Sequence, residues 1–177
     1  MMLVAAVVGY AAAVHSGSDL LAFVAGALAG ALLAAVFGAL VIWLNTNQYA
    51  TGLALSLFGV GFSAFIGQPY TRERLGERAQ FEIPLLSDIP FIGPALFKQH
   101  PMVWVAIALT IFLMWWLNKS RGGLILRAIG ESPESAHALG YPVRRIRMLA
   151  VVAGGALCGI SGAYLSVIYT PLWVEGM

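Results

Sequence analysis

The sequence predicts an all-α fold, a polytopic transmembrane helix bundle of about five spans, and three observations predict it. The chain of 177 residues is 60% hydrophobic and only 10% charged, with a mean hydropathy of +0.84. Soluble domains carry about 25% charged residues, so this much apolar surface calls for lipid as its solvent. Apolar runs of spanning length recur between short polar breaks. The basic residues are also unevenly placed: residues 1 to 71 hold no Lys or Arg, whereas 118 to 147 hold six of the ten. That distribution excludes nucleic acid as a partner, because phosphate binding needs a basic face.

Met1 to Val14 is apolar but shorter than the roughly 20 residues a span requires. It lacks the basic start of a secretory signal, and it reads as the later part of a helix. HSGSD at 15 to 19 is a turn in which Ser18 or Asp19 is placed to cap the next helix. Leu20 to Leu44 then runs without a charge, with Gly26, Gly30, Ala34 and Gly38 at four-residue spacing. Small residues on one stripe let a neighbouring backbone approach closely, and bundle packing is the expected use of Gly26 and Gly30. NTNQ at 45 to 48 is a polar break before the apolar run Tyr49 to Tyr70. It reads as a loop, with lining of a polar cavity as the alternative that makes Asn47 and Gln48 candidates for a substrate path. Ser56 and Ser63 are expected to bond the preceding helical turn.

Residues 71 to 100 balance four basic residues against four acidic ones and carry prolines 84, 90 and 94. Pro101 to Leu117 is the next span, with Trp104, Trp115 and Trp116 near its ends, where an indole meets both lipid and water. Met148 to Tyr169 is the last span. It contains the GxxxG pair Gly155 and Gly159, again read as helix packing, and Cys158, read as a small packing residue. A lone cysteine gives no disulfide framework and no cysteine-based metal site.

Between these two spans lies 118 to 147, which is about +4 because only Glu131 and Glu134 oppose its six basic residues. A short basic loop between spans marks the cytoplasmic side, and the neutral loop at 71 to 100 then falls outside the cell. Within the loop, Ser132 is placed to cap, Pro133 suits a first helical turn, Glu134 suits the positive helix end, and Gly140 suits a left-handed stop. Two short helical pieces are therefore expected, a shape suited to docking on a soluble partner. The plainer reading is a surface hairpin held by lipid phosphates.

No span holds Asp, Glu, Lys, Arg or His in its interior, which argues against a proton-coupled carrier. No phosphate-cradling loop, nucleophile triad or metal-ligand set is present, so catalytic and metal residues are expected to be none and the chain is not expected to be an enzyme. His15, His100 and His137 read as ordinary loop residues.

GLILRAIGESPESAHALGYPVRRIR resembles the cytoplasmic coupling loop of the permease subunits of bacterial ABC importers, within the branch that serves simple sugars, nucleosides and branched-chain amino acids. Glu134, Ala136 and Gly140 match the E-A-A-x-x-x-G core of that motif, with Ser135 departing from its middle alanine. Gly130 and Glu131 match the AIGE that precedes it. AVVAGGALCGISGAYLS, YTPLWVEGM and NQYATGLALSL are similar to further segments of the sugar and nucleoside branch.

The resemblance implies one permease domain over 1 to 177, incomplete at both ends, with 118 to 147 as its coupling loop. It implies Glu134, Ala136 and Gly140 in the docking helix, supported by Arg127, Gly130 and Glu131. It also implies a second permease subunit, two cytoplasmic ATPase subunits that use ATP, an extracytoplasmic substrate-binding protein, and residence in the bacterial plasma (inner) membrane. No cofactor is expected on this chain. The alternatives are a branched-chain amino acid permease, which the TPLWVEGM likeness disfavours, and, from other classes, a secondary carrier, a channel or a membrane scaffold.

Overall fold

A computed structural model describes residues 1–72 and 101–169, and every described element is helical. The expectations for the loop at 71 to 100, beyond its first two residues, and for YTPLWVEGM after Tyr169 lie outside the described residues. The helices are α1 (Met2–Ser16), α2 (Asp19–Gly38), α3 (Gln48–Gly67), α4 (Pro101–Lys119), α5 (Arg121–Glu131), α6 (Pro133–Ala138) and α7 (Val143–Tyr164). Helix α2 widens into a π-helical segment at Ala39–Trp43, α7 does the same at Leu165–Tyr169, and α3 tightens into a 3-10 turn at Gln68–Arg72.

Four stretches are long and apolar enough to cross a membrane: Asp19–Trp43, Gln48–Tyr70, Met102–Lys119 and Val143–Tyr169. The protein is an integral membrane protein. At 15 residues, α1 rises about 22 Å, short of the roughly 30 Å hydrocarbon core.

The chain divides into two compact units, one of 1–77 with 142–177 and one of 78–141. The first unit is built on the face that the glycine stripes predict. Gly26, Gly30, Ala34 and Gly38 are the buried residues of α2 together with Ala22, and Gly155, Gly159, Gly162 and Ala163 are those of α7. The two stripes lie directly against each other. A methyl group added to Gly30 would overlap the Gly155 carbonyl oxygen, and one added to Gly159 would overlap that of Gly26. In lipid, where burial of apolar surface drives little association, backbone contact of this closeness supplies the dispersion that holds helices together.

Helix α1 completes the cluster. Gly162 meets the Met2 carbonyl, Gly9 meets Ala163, and the buried Ser166 donates its hydroxyl to the Ala6 carbonyl at 2.9 Å. Tyr10, 1% exposed, packs edge-on against Tyr70 at 6.1 Å.

Three expectations need correction. Ser18 holds the N-cap position of α2, but its side chain makes no cap bond; Gly17 (φ 65°) turns the chain instead, and its N–H closes α1 on the Ala13 carbonyl. His15 lies in the last turn of α1, where Nδ1 meets the Ala11 carbonyl at 2.9 Å, and His137 lies within α6, so neither is a loop residue. Cys158 is exposed: it sits a helical step off the face that Gly155, Gly159 and Gly162 bury.

Candidate functional site

In the second unit, α4 ends and α5 begins around a single residue, Ser120. Its N–H donates to the Trp116 carbonyl at 3.0 Å, and its hydroxyl oxygen accepts from the Gly123 N–H at 3.0 Å. One serine thus closes one helix and caps the next, satisfying a donor that would otherwise be orphaned. Helix α5 is amphipathic. Gly123 and Ile129 are buried, while Arg121, Arg127 and Glu131 are exposed.

Ser132 repeats the device at the next corner. Its N–H bonds the Ala128 carbonyl at 3.0 Å, and its hydroxyl accepts from the Ser135 N–H and lies 2.8 Å from the Ser135 hydroxyl. Pro133 occupies the first turn of α6, where its missing N–H costs nothing. Glu134 sits in that same turn, exposed, where the helix end favours an anion.

The helix stops by a Schellman arrangement. The Gly140 N–H donates to the His137 carbonyl at 2.9 Å, and the Tyr141 N–H reaches back to the Ala136 carbonyl at 3.2 Å. Gly140 has φ +86°, a conformation costly for any residue with a Cβ. The result is a polar helix–corner–helix hairpin with fixed ends.

The residues singled out in this hairpin divide by direction. Glu131, Glu134, Leu139 and Gly130 face outward, with Leu139 77% exposed. Ala136 is 4% exposed and lies on the inner side. Arg127 is engaged within the unit, its Nη1 donating to Asn118 Oδ1 at 2.8 Å. Sequence reasoning missed Asn118, Ser120 and Gly123. A serine with two glycines two and three residues on, at a helix boundary, was the available signal.

The substrate-path candidates separate. Asn47 caps α3, its Oδ1 accepting from the N–H groups of Tyr49 (2.9 Å) and Ala50 (3.3 Å), so its acceptor is already used locally. Gln48 lines an open groove of about 570 Å³ with Phe37, Tyr49, Gly52, Leu53 and Ser56. Ser56 donates to the Gly52 carbonyl and Ser63 to that of Val60, as expected of span serines. Among the described residues, no group of three His, Cys, Asp or Glu side chains is placed to hold a metal ion.

The whole chain, residues 1–177, matches the family described as the permease component of the branched-chain amino acid transport system. The chain belongs to this permease family. Its relatives include a glucose ABC transporter permease protein of Haloferax volcanii, so named provisionally, at 36% identity over 100% of this chain and 55% of the relative. A nucleoside ABC transporter permease of Lactococcus lactis is 34% identical over 78% of this chain and 45% of the relative. A guanosine ABC transporter permease of Bacillus subtilis is 29% identical over 84% and 49%. This permease chain spans about half the length of the curated relatives it matches. No solved structure matches it.

Proposed function

We propose that this permease chain forms part of the translocation path of an ABC importer for a sugar or nucleoside, and that it is driven through the loop at 118 to 147. The observation that carries the reading is the capped hairpin from Ser120 to Gly140. Its corners are fixed by their own hydrogen bonds, and its outward face bears Glu131 and Glu134. A loop that only marked topology would need charge but no shape. In this reading α6 seats in a cleft of a cytoplasmic ATPase, two ATPases serve two permease subunits, and an extracytoplasmic binding protein delivers substrate. The loop at 118 to 147 is then cytoplasmic and that at 71 to 100 extracytoplasmic, as the charge bias supports. ATP hydrolysis belongs to the partner, and this chain contributes no catalytic group. The transported compound is a sugar or nucleoside because those are the substrates named for the relatives above.

The test is co-purification of the full-length protein from native membranes, comparing wild type with Glu134→Lys. An ATPase subunit recovered with wild type and lost with the variant supports the reading. No ATPase in either sample sinks it and brings a carrier, channel or scaffold forward. The family description itself names branched-chain amino acids. Competition of uptake by glucose, guanosine or leucine separates the branches.

A further inference from the structure

The joint between α4 and α5 carries more constraint than a corner needs. Two helices meeting at one residue pivot about it unless something else holds them. Here the two glycines after Ser120 bring α5 onto α4 at van der Waals closeness. A methyl group on Gly123 would overlap the Trp116 carbonyl oxygen, and one on Gly122 would lie 3.0 Å from the Trp116 ring. Further along, a clasp spans the corner. Asn118 donates its Nδ2 to the Met114 carbonyl of α4 at 2.7 Å, which fixes the amide, and its Oδ1 accepts from Arg127 Nη1 of α5 at 2.8 Å. The donor is ionised, so the bond is stronger than one between neutral groups.

The geometry points to a rigid elbow, in which Asn118 and Arg127 are positioning residues. They lock α5 to the end of α4, so that displacement of α6 is passed into a membrane-spanning helix and not absorbed by bending at Ser120. This rests on the coupling reading above and deepens it, because it assigns Arg127 to transmission within the permease and not to the docking face. A tight, doubly held corner moves as one rigid body with the helix it ends, whereas a loose one dissipates the push.

The experiment uses the whole transporter in proteoliposomes, with Asn118→Ala, Arg127→Ala, the double variant and Asn118→Asp. Co-purified ATPase, ATP hydrolysis, and uptake of labelled glucose and guanosine are measured together. Each alanine variant is expected to retain its ATPase subunit while uptake per ATP falls about 3- to 10-fold, within the range of residues that tune coupling. The double variant is expected to be no worse than Asn118→Ala, because the interaction between the two side chains is already lost there. Asn118→Asp loses the donor to the Met114 carbonyl but keeps an acceptor facing Arg127, and is expected to keep more uptake than Asn118→Ala.

Unchanged uptake per ATP, or additive losses in the double variant, overturns the elbow. Loss of ATPase capture in Arg127→Ala also overturns it, since Arg127 would then belong to the docking surface. Spin labels on Leu109 and Gly130 give a readout independent of any partner. Their distance distribution is expected to broaden in Arg127→Ala, and an unchanged width refutes the elbow even where wild type captures no ATPase and the coupling reading itself has failed.

Discussion

The seam between α2 and α7 and the hairpin of α5 and α6 use the same small residues for opposite ends. At the seam, glycine is needed for what it lacks: Gly26, Gly30, Gly155 and Gly159 are buried because any side chain there would enter the neighbouring backbone. At the end of α6, Gly140 has open space around it and is needed for its φ of +86°. The seam is specified by neighbours distant in sequence, the caps of the hairpin by bonds between residues three to five apart. Damage to the seam should therefore spread through its unit, whereas damage to the hairpin should stay local.

The largest expected effect comes from the seam. Gly30→Leu is expected to destabilise the protein by about 3 kcal/mol or more, since a backbone oxygen cannot move aside as a side chain does. Loss of the folded fraction in detergent checks it, and a stably folded variant would break the comparison. Gly140→Val is expected to cost about 1–2 kcal/mol through the strained dihedral. It should leave the folded fraction intact while abolishing ATPase capture, and a global loss of folding would show that the hairpin is not local. Ser132→Ala removes a cap worth about 1 kcal/mol. Faster amide exchange is expected at Ser135 and its neighbours, with none at α2. The smallest effect sharpens the contrast between adjacent positions on α7. Gly154 has nothing within 4 Å of an added Cβ, whereas one on Gly155 would overlap Ala34. Gly154→Ala is expected to be neutral or to stabilise by up to about 1 kcal/mol through helix propensity, as read by thermal unfolding in detergent.

Legibility followed the range of the interactions. The spans were plain from composition, because lipid imposes length and apolarity on each helix separately. The start and stop of α6 were plain because a cap is a contact between near neighbours: Ser132, Pro133 and Gly140 announce them in order, whereas the corner at Ser120 was missed. Cys158 was misread because its flanking glycines say that the helix is packed without saying which side, and the packed side falls on Gly155, Gly159 and Gly162. Asn47 and Gln48 looked alike as polar residues in a break. Only the course of the backbone separated them, turning one into a cap and the other into the lining of a groove.

The sequence by itself determined that the chain is an all-helical membrane protein, roughly where its spans lie, and that a shaped basic loop interrupts them. These follow from solvent and from local hydrogen bonding, which each segment carries with it. Only the tertiary structure decided that the stripe of α2 meets the stripe of α7, that Gly123 seats on Trp116, and that Asn118 and Arg127 clasp across a corner. Those contacts join residues whose spacing names no partner, and only a fold that fixes both backbones can select one.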